Sequence, residues 1–315
     1  MENSSHVVIL PFPAQGHRDK YGLYSGRIGS GEDRNDLGRL TEGFTVVMPG
    51  HLEKLIREIN DAEGESCKIK WMVADANMGW SFAVAKKMGI RAVSFWPPSA
   101  ALLAFMLRIP SSLRMVATQE KRDNSTEPGM VPIETTEFSW NHIGDPKGQP
   151  IIFQLILQNN QATELADVII CNSFHEIEPA TFALHPNILP IGPLMADQKF
   201  EKPIGHFWQE DMTCLHWLNE QPNNSVVYVA FGSFTVFDRI QLEELAHGLE
   251  LTEQPFYGSD YIEGENKEKV EELLADEELK ARACLWRDIA HRSINEGGSS
   301  YENFKKFVNI ISQDH

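Results

Sequence analysis

Apolar residues alternate between two patterns in the first two thirds of the chain. Short β-rich runs predict strands, at 6–12, 69–74, 92–96 and 168–171. Between them, apolar residues at helical spacing predict helices, at 45–60 with an interruption at Pro49-Gly50, 80–88 closed by Gly89, 99–107 and 151–165. This alternation is typical of a parallel sheet with helices on both faces.

The pattern is poorer in two places. Residues 18–41 hold nine charged residues and five glycines, so they offer no apolar face for the helix that should follow the first strand. In the second half, 225–231 predicts a strand between helices at 213–220 and 239–251, with a stub near Phe256 as its one potential neighbour. A lone buried strand leaves backbone groups unpaired. Either helices cover it, another chain pairs with it, or part of the domain is absent.

Composition and charge exclude several classes of function. The 315 residues carry 28 basic and 45 acidic side chains, for a formal net charge of −17. This balance argues against binding to nucleic acid or to anionic membranes through a basic patch. The four cysteines form no CxxC pair, and no uncharged stretch reaches the roughly 20 residues of a membrane span. We therefore expect a cytoplasmic protein with free thiols, no signal peptide, no membrane span and no nucleic-acid partner.

Polar residues follow the predicted strands, where open α/β sheets bind their ligands. His17 and Asp75 follow strands of the first half, as does Asn172-Ser173. An Asp75 carboxylate could keep one imidazole nitrogen of His17 protonated, which leaves the other as a general base toward an alcohol or phenol. A helix N-cap at Asp75 and a surface loop at His17 explain the same residues.

Gly232-Ser233 follows the strand of the second half. Backbone N–H groups and a hydroxyl before a helix can bind a phosphate, although these residues alone favour a plain capped turn. The sequence contains no HExxH, GxSxG or GxxxxGK[ST] motif, and its cysteines lack the spacing of a zinc site. No metal is expected.

Several segments together resemble the plant UDP-dependent glycosyltransferases of family one, which act on small molecules and have the GT-B fold. They are HVVILPFPAQGH at 6–17, VADANMGW at 73–80, VIICNS at 168–173, LPIGPL at 189–194, SVVYVAFGSF at 225–234 and EGGSSY at 296–301. The resemblance runs in order through nearly the whole chain. It implies an α/β, GT-B-like fold of two Rossmann-like parallel-sheet lobes, of which the second is incomplete.

The same resemblance implies a role for each part of the chain. Residues 1–194 correspond to the acceptor-side lobe, in which the first helix and the second strand are expected to be missing. Residues 195–211 form a linker, and 212–300 form a shortened donor-side lobe. Residues 301–315 form a final helix that is expected to pack back on the N-terminal lobe.

The chemistry that the resemblance implies is an inverting, metal-independent transfer of a sugar. UDP-sugar is the co-substrate, with UDP-glucose the expected donor and no separate cofactor, and a hydroxyl of a phenolic, flavonoid or other alcohol is the acceptor. His17 matches the family's general base and Asp75 the residue that orients it. Ser233, with Gly232, matches the contact to the donor diphosphate.

The acceptor is expected against three aromatic residues of the N-terminal half, Trp80, Phe95 and Trp96.

The donor side departs from the family, whose segment there has a Trp that stacks on uracil and a His-Cys-Gly-Trp-Asn-Ser run. This chain has no His-Cys pair and no Trp between Trp217 and Trp286. Two internal deletions and weak or absent activity are therefore expected. The alternatives are a non-catalytic, small-molecule-binding remnant and the product of a truncated gene model.

Overall fold

The computed structural model describes residues 6–10, 41, 43–63, 68–117, 148–194, 213–223, 225–229, 240, 245, 247, 256–257 and 276–313. The chain divides into two units, one of Met1–Pro13, Tyr21–Gln198 and Ile289–His315, and one of Ala14–Lys20 and Lys199–Asp288. Three predicted site residues, His17, Gly232 and Ser233, lie outside the described residues.

The first unit is built on a five-stranded parallel sheet whose strands lie in chain order. They are β1 (His6–Leu10), β2 (Ile69–Asp75), β3 (Arg91–Trp96), β4 (Val168–Cys171) and β5 (Ile188–Pro190). The four strands predicted from the apolar runs are confirmed, and β5 was missed. Because all the strands run parallel, their carboxyl ends lie along one edge of the sheet.

The four helices predicted between the strands are confirmed, with shifted ends. They are α1 (Met48–Glu63), which follows a π-helical turn at Gly43–Val47, α2 (Trp80–Met88), α3 (Ala100–Ala117) and α4 (Gly148–Thr163). A further helix, α5 (Pro179–Leu184), was missed. Pro49 does not interrupt α1 and lies beside its junction with the π-helical turn. Gly89 ends α2 in a left-handed conformation with φ 70°, as predicted.

Apolar side chains pack on both faces of the sheet. On one face, Met72 and Ala92 join residues of α1 and α2, such as Ile56 and Phe82. Neighbouring strand residues point to the other face, where they pack against Phe307 of the last helix, α8 (Ser299–Ser312). That cluster consists of Trp71, Val93, Ile170, Leu189, Ile191 and Phe307.

Hydrogen bonds fix α8 to the end of β5. Ser300 Oγ donates to the Gly192 carbonyl at 2.6 Å, and Asn303 Nδ2 donates to the Pro190 carbonyl at 3.0 Å. The chain therefore returns to the first unit with its last described helix. No helix in the described part of the chain is long and apolar enough to cross a membrane.

The second unit is described in short pieces. Helix α6 (Thr213–Asn219) precedes a two-stranded parallel sheet of β6 (Val227–Tyr228) and β7 (Phe256–Tyr257). Helix α7 (Glu277–Ile294) comes later in the chain, and the second unit includes it as far as Asp288. The strand predicted at 225–231 is described at Val227–Tyr228, where it pairs with the stub near Phe256 that the sequence offered as a neighbour. Most of the helix predicted at 239–251 lies outside the described residues.

Candidate active site at the carboxyl end of the sheet

Asp75 is the last residue of β2 and is only 8% exposed. Its Oδ1 accepts hydrogen bonds from the Asn77 backbone N–H at 2.8 Å and from Asn77 Nδ2 at 3.0 Å. The carboxyl group thereby caps the 3-10 turn Ala76–Met78. The interpretation of Asp75 as a cap is confirmed, and its role toward His17 stays a prediction.

The environment of Asp75 changes its ionisation. Burial raises the pKa of this carboxyl above the ordinary value of 3.8, and the two hydrogen bonds from Asn77, which favour the charged form, offset only part of that effect. A strand-end carboxyl with a perturbed pKa is a common feature of functional sites. Asp75 is therefore a candidate site residue in the described part of the chain.

The raised pKa gives a testable dependence of stability on pH. The folded state holds the Asp75 proton more tightly than the unfolded state, so this group's stabilising contribution is present below about pH 3.8 and is lost as the pH rises through the folded pKa. Asp75→Asn keeps an acceptor oxygen but cannot ionise. Relative to the wild type, this variant should gain free energy of unfolding as the pH rises through that window.

Urea denaturation at a series of pH values from about 3.8 upward measures this difference. Asp61, exposed on α1, is the control position for the removal of one carboxyl group. Parallel curves for Asp75→Asn and the wild type would contradict the prediction.

The three predicted acceptor-pocket residues lie in different clusters. Trp80 is half-buried against the cluster of α1 and α2, and its Nε1 is buried without a hydrogen-bond partner in the described part of the chain. Trp96 is 4% exposed among residues of α3 and α4, and its Nε1 donates to the Ser99 carbonyl at 2.8 Å. Phe95 packs on the opposite face, in the cluster of Phe307. The structure does not bring the three rings into one group.

Asn172 and Ser173 follow β4, as predicted, and both make hydrogen bonds. Asn172 Oδ1 accepts from the Leu194 N–H at 2.9 Å. Ser173 Oγ donates to Glu178 Oε2, and the Glu178 carboxylate also accepts from the N–H groups of Ala100 and Ala101 at 2.9 and 2.8 Å. Sequence reasoning missed Glu178. It links the start of α3 to the residues after β4.

Cys171 precedes this pair at the end of β4. Burial raises the pKa of its thiol to about 12, so the thiol stays protonated at neutral pH. This buried cysteine is therefore a packing residue and not a nucleophile.

Asn159 of α4 is a second residue that sequence reasoning missed. Its Oδ1 accepts from the Gly79 N–H at 3.2 Å, and its Nδ2 donates to the Asn77 carbonyl at 3.1 Å. Only 7% of the residue is exposed. A signal was present, because Asn159 and Asn160 follow the apolar run at 151–157 where the helical pattern predicts buried positions.

Comparison with solved structures identifies the class of fold as that of the plant GT-B glycosyltransferases. The structure of Phytolacca americana UGT2 complexed with UDP-2fluoro-glucose and pterostilbene aligns with a TM-score of 0.69 and 18% identity, over 98% of this chain and 100% of that one. Os79 from O. sativa, in complex with UDP and deoxynivalenol-3-glucoside, aligns with a TM-score of 0.66 and 16% identity, over 96% of this chain and 99% of that one. The fold class expected from the resemblance is confirmed.

Sequence comparison finds curated relatives with higher identity than these solved structures. UDP-glycosyltransferase 83A1 of Arabidopsis thaliana is 39% identical over 270 residues, which cover 81% of this chain and 58% of the relative. The 7-deoxyloganetin glucosyltransferase of Catharanthus roseus is 30% identical over 275 residues, covering 79% and 56%. No family model matches the chain. The chain is a relative of the plant UDP-glycosyltransferases, and it spans a little over half the length of these curated relatives.

Proposed function

We propose that the chain derives from an enzyme that transfers a sugar from a UDP-sugar, with UDP-glucose the expected donor, to a hydroxyl of a phenolic, flavonoid or other small alcohol. The observation that carries the proposal is the 39% identity to UDP-glycosyltransferase 83A1 over 81% of the chain. Solved relatives of the same fold hold UDP-2fluoro-glucose with pterostilbene, or UDP alone. The reaction needs no metal or further cofactor.

The proposed step inverts the configuration at the sugar. The acceptor hydroxyl oxygen attacks the anomeric carbon, His17 takes the hydroxyl proton, and the bond to the diphosphate breaks as UDP leaves. Asp75 holds the imidazole in the tautomer that can accept that proton. The buried position of Asp75 at a strand end and its anchoring by Asn77 support this role.

We further propose that this chain has weak or no transfer activity. The donor-side motifs are absent from its sequence, as described above, although Ser233 and Gly232 are retained for the diphosphate. Contacts to the uracil and to the phosphates would then be too few to hold the nucleotide. Sequencing transcripts across positions 17/18 and 257/258 tests whether the two internal deletions exist in the natural transcript, since a longer transcript would favour a truncated gene model instead.

Calorimetric titration with UDP and with UDP-glucose tests the proposal directly. We expect no binding with a Kd below about 1 mM, against clear binding by UDP-glycosyltransferase 83A1 as the control protein. Product formation from UDP-glucose and the flavonol quercetin is followed chromatographically in parallel. Micromolar donor binding or turnover by this chain would overturn the proposed inactivity.

A non-catalytic small-molecule-binding protein is the second candidate. The five-stranded sheet of the first unit, with packed clusters on both faces, supports a lobe that keeps its acceptor side. Quenching of tryptophan fluorescence by quercetin, without turnover, would favour this function. If quercetin and simple phenols do not bind, the candidate is rejected.

A further inference from the structure

The segment that follows Asp75 is held against α4 by one side chain. The Asn159 side-chain amide makes two hydrogen bonds to this segment. Its oxygen accepts from the Gly79 N–H, and its nitrogen donates to the Asn77 carbonyl. These partners lie 80 and 82 positions away in the sequence. Because both atoms of a buried amide are used, the position of the turn relative to α4 is defined in two directions.

The close approach of α4 depends on the glycine in this turn. A Cβ built on Gly79 would lie 2.7 Å from Asn159 Oδ1 and 2.9 Å from Ala162 Cβ. Side chains do not normally reach such distances, so any larger residue would push the turn away from α4. Gly79 thus allows the contact, and Asn159 makes it.

The same turn carries the donors that hold Asp75. Asn77 presents its carbonyl to Asn159 while its N–H and its Nδ2 donate to Asp75 Oδ1. We propose that Asn159 is a positioning residue for Asp75, which it holds through Asn77 in the orientation that the general base needs. The catalytic part of this inference rests on the proposed function, whereas the link between the two side chains does not.

The link predicts how the Asp75 carboxyl responds to changes at Asn159. If the amide is removed, the Asn77 donors are no longer fixed on Oδ1. Hydrogen bonds to a carboxylate favour its charged form, so their weakening should raise the pKa of Asp75 further. A residue that only fills space in the core would change the stability of the fold but not this pKa.

The test is an NMR titration of the carbon-13-labelled Asp75 carboxyl in the full chain. We expect Asn159→Ala to raise the Asp75 pKa by about half a unit or more. Asn160→Ala is the matched control, because Asn160 is equally buried on the same helix but donates to the Met106 carbonyl. An unchanged pKa in folded Asn159→Ala, or the same shift in both variants, would overturn the proposal.

A measurement on the wild type covers the case in which Asn159→Ala does not fold. The side-chain NH₂ signals of Asn159 should shift with the same midpoint as the Asp75 carboxyl, and those of Asn160 should not. Failure of the Asn159 signals to follow Asp75 overturns the proposal by itself. Neither readout involves sugar transfer, so a chain without turnover bears only on the proposed function.

Discussion

Replacement of Phe307 by alanine is expected to lower the free energy of unfolding by about 3–5 kcal/mol. The ring is 7% exposed and lies among Trp71 and Val93 of the sheet, so its removal loses the burial of a large apolar side chain. Hydrogen bonds from Ser300 and Asn303 fix the start of α8, which limits how far the helix can move to fill the cavity. Urea denaturation followed by far-UV circular dichroism measures the loss.

Phe304 on the same helix is the matched control. Its ring is 44% exposed and its centroid lies 6.2 Å from that of Phe307. Phe304→Ala should therefore cost no more than about 1 kcal/mol. Equal losses for the two variants would contradict the placement of Phe307 in the core of the first unit.

The apolar pattern predicted the strands whose own sequence is a run of β-branched and other apolar residues. Runs such as 69–74 and 168–171 are rich in β-branched and other apolar residues, and both form strands of the sheet. The strand Ile188–Pro190 has three residues and ends in proline, so no local pattern indicates it. Pairing of its Leu189 with Ile170, and the hydrogen bond from Asn303 of α8 to the Pro190 carbonyl, fix this strand in the sheet. These contacts are distant in sequence.

Helix ends were displaced because packing extends beyond the local pattern. The pattern ends the third helix at Leu107, yet α3 continues through Ile109, which is 7% exposed, to Ala117. Pro110 lies within this helix, where local propensity alone would predict a break. The burial of Ile109 extends the packed face of α3 beyond the end of the local pattern.

The candidate site was predictable only in part, because its support comes from far along the chain. Asp75 could be recognised from its position after a strand. Asn159 bonds to Gly79 from 80 positions away, and Glu178 bonds to the start of α3 from 78 positions away. No sequence motif records contacts at such separations. One feature was available from the start: Phe95 and Trp96 are neighbours in a strand, so their rings point to opposite faces of the sheet.

Replacement of Glu178 by alanine is expected to lower the free energy of unfolding by about 3 kcal/mol. The carboxylate accepts two N–H groups at the start of α3, from Ala100 and Ala101, and its negative charge interacts favourably with the helix N-terminus. Hydrogen bonds to a charged group contribute more than neutral ones. Removal also leaves Ser173 Oγ without this acceptor at the end of β4.

Two further variants separate charge from geometry at this position. Glu178→Gln keeps one acceptor oxygen but turns an amide toward the second N–H, so we expect a loss of about half that of alanine. Glu176, exposed and bonded to Ser299 Oγ at 3.0 Å, is the control, and Glu176→Ala should cost less than about 1 kcal/mol. A loss in the free energy of unfolding that is largest for Glu178→Ala, smaller for Glu178→Gln and smallest for Glu176→Ala supports a charge-assisted cap that holds α3 to the end of β4. Equal losses for Glu178→Ala and Glu176→Ala would show that the start of α3 is held by packing alone.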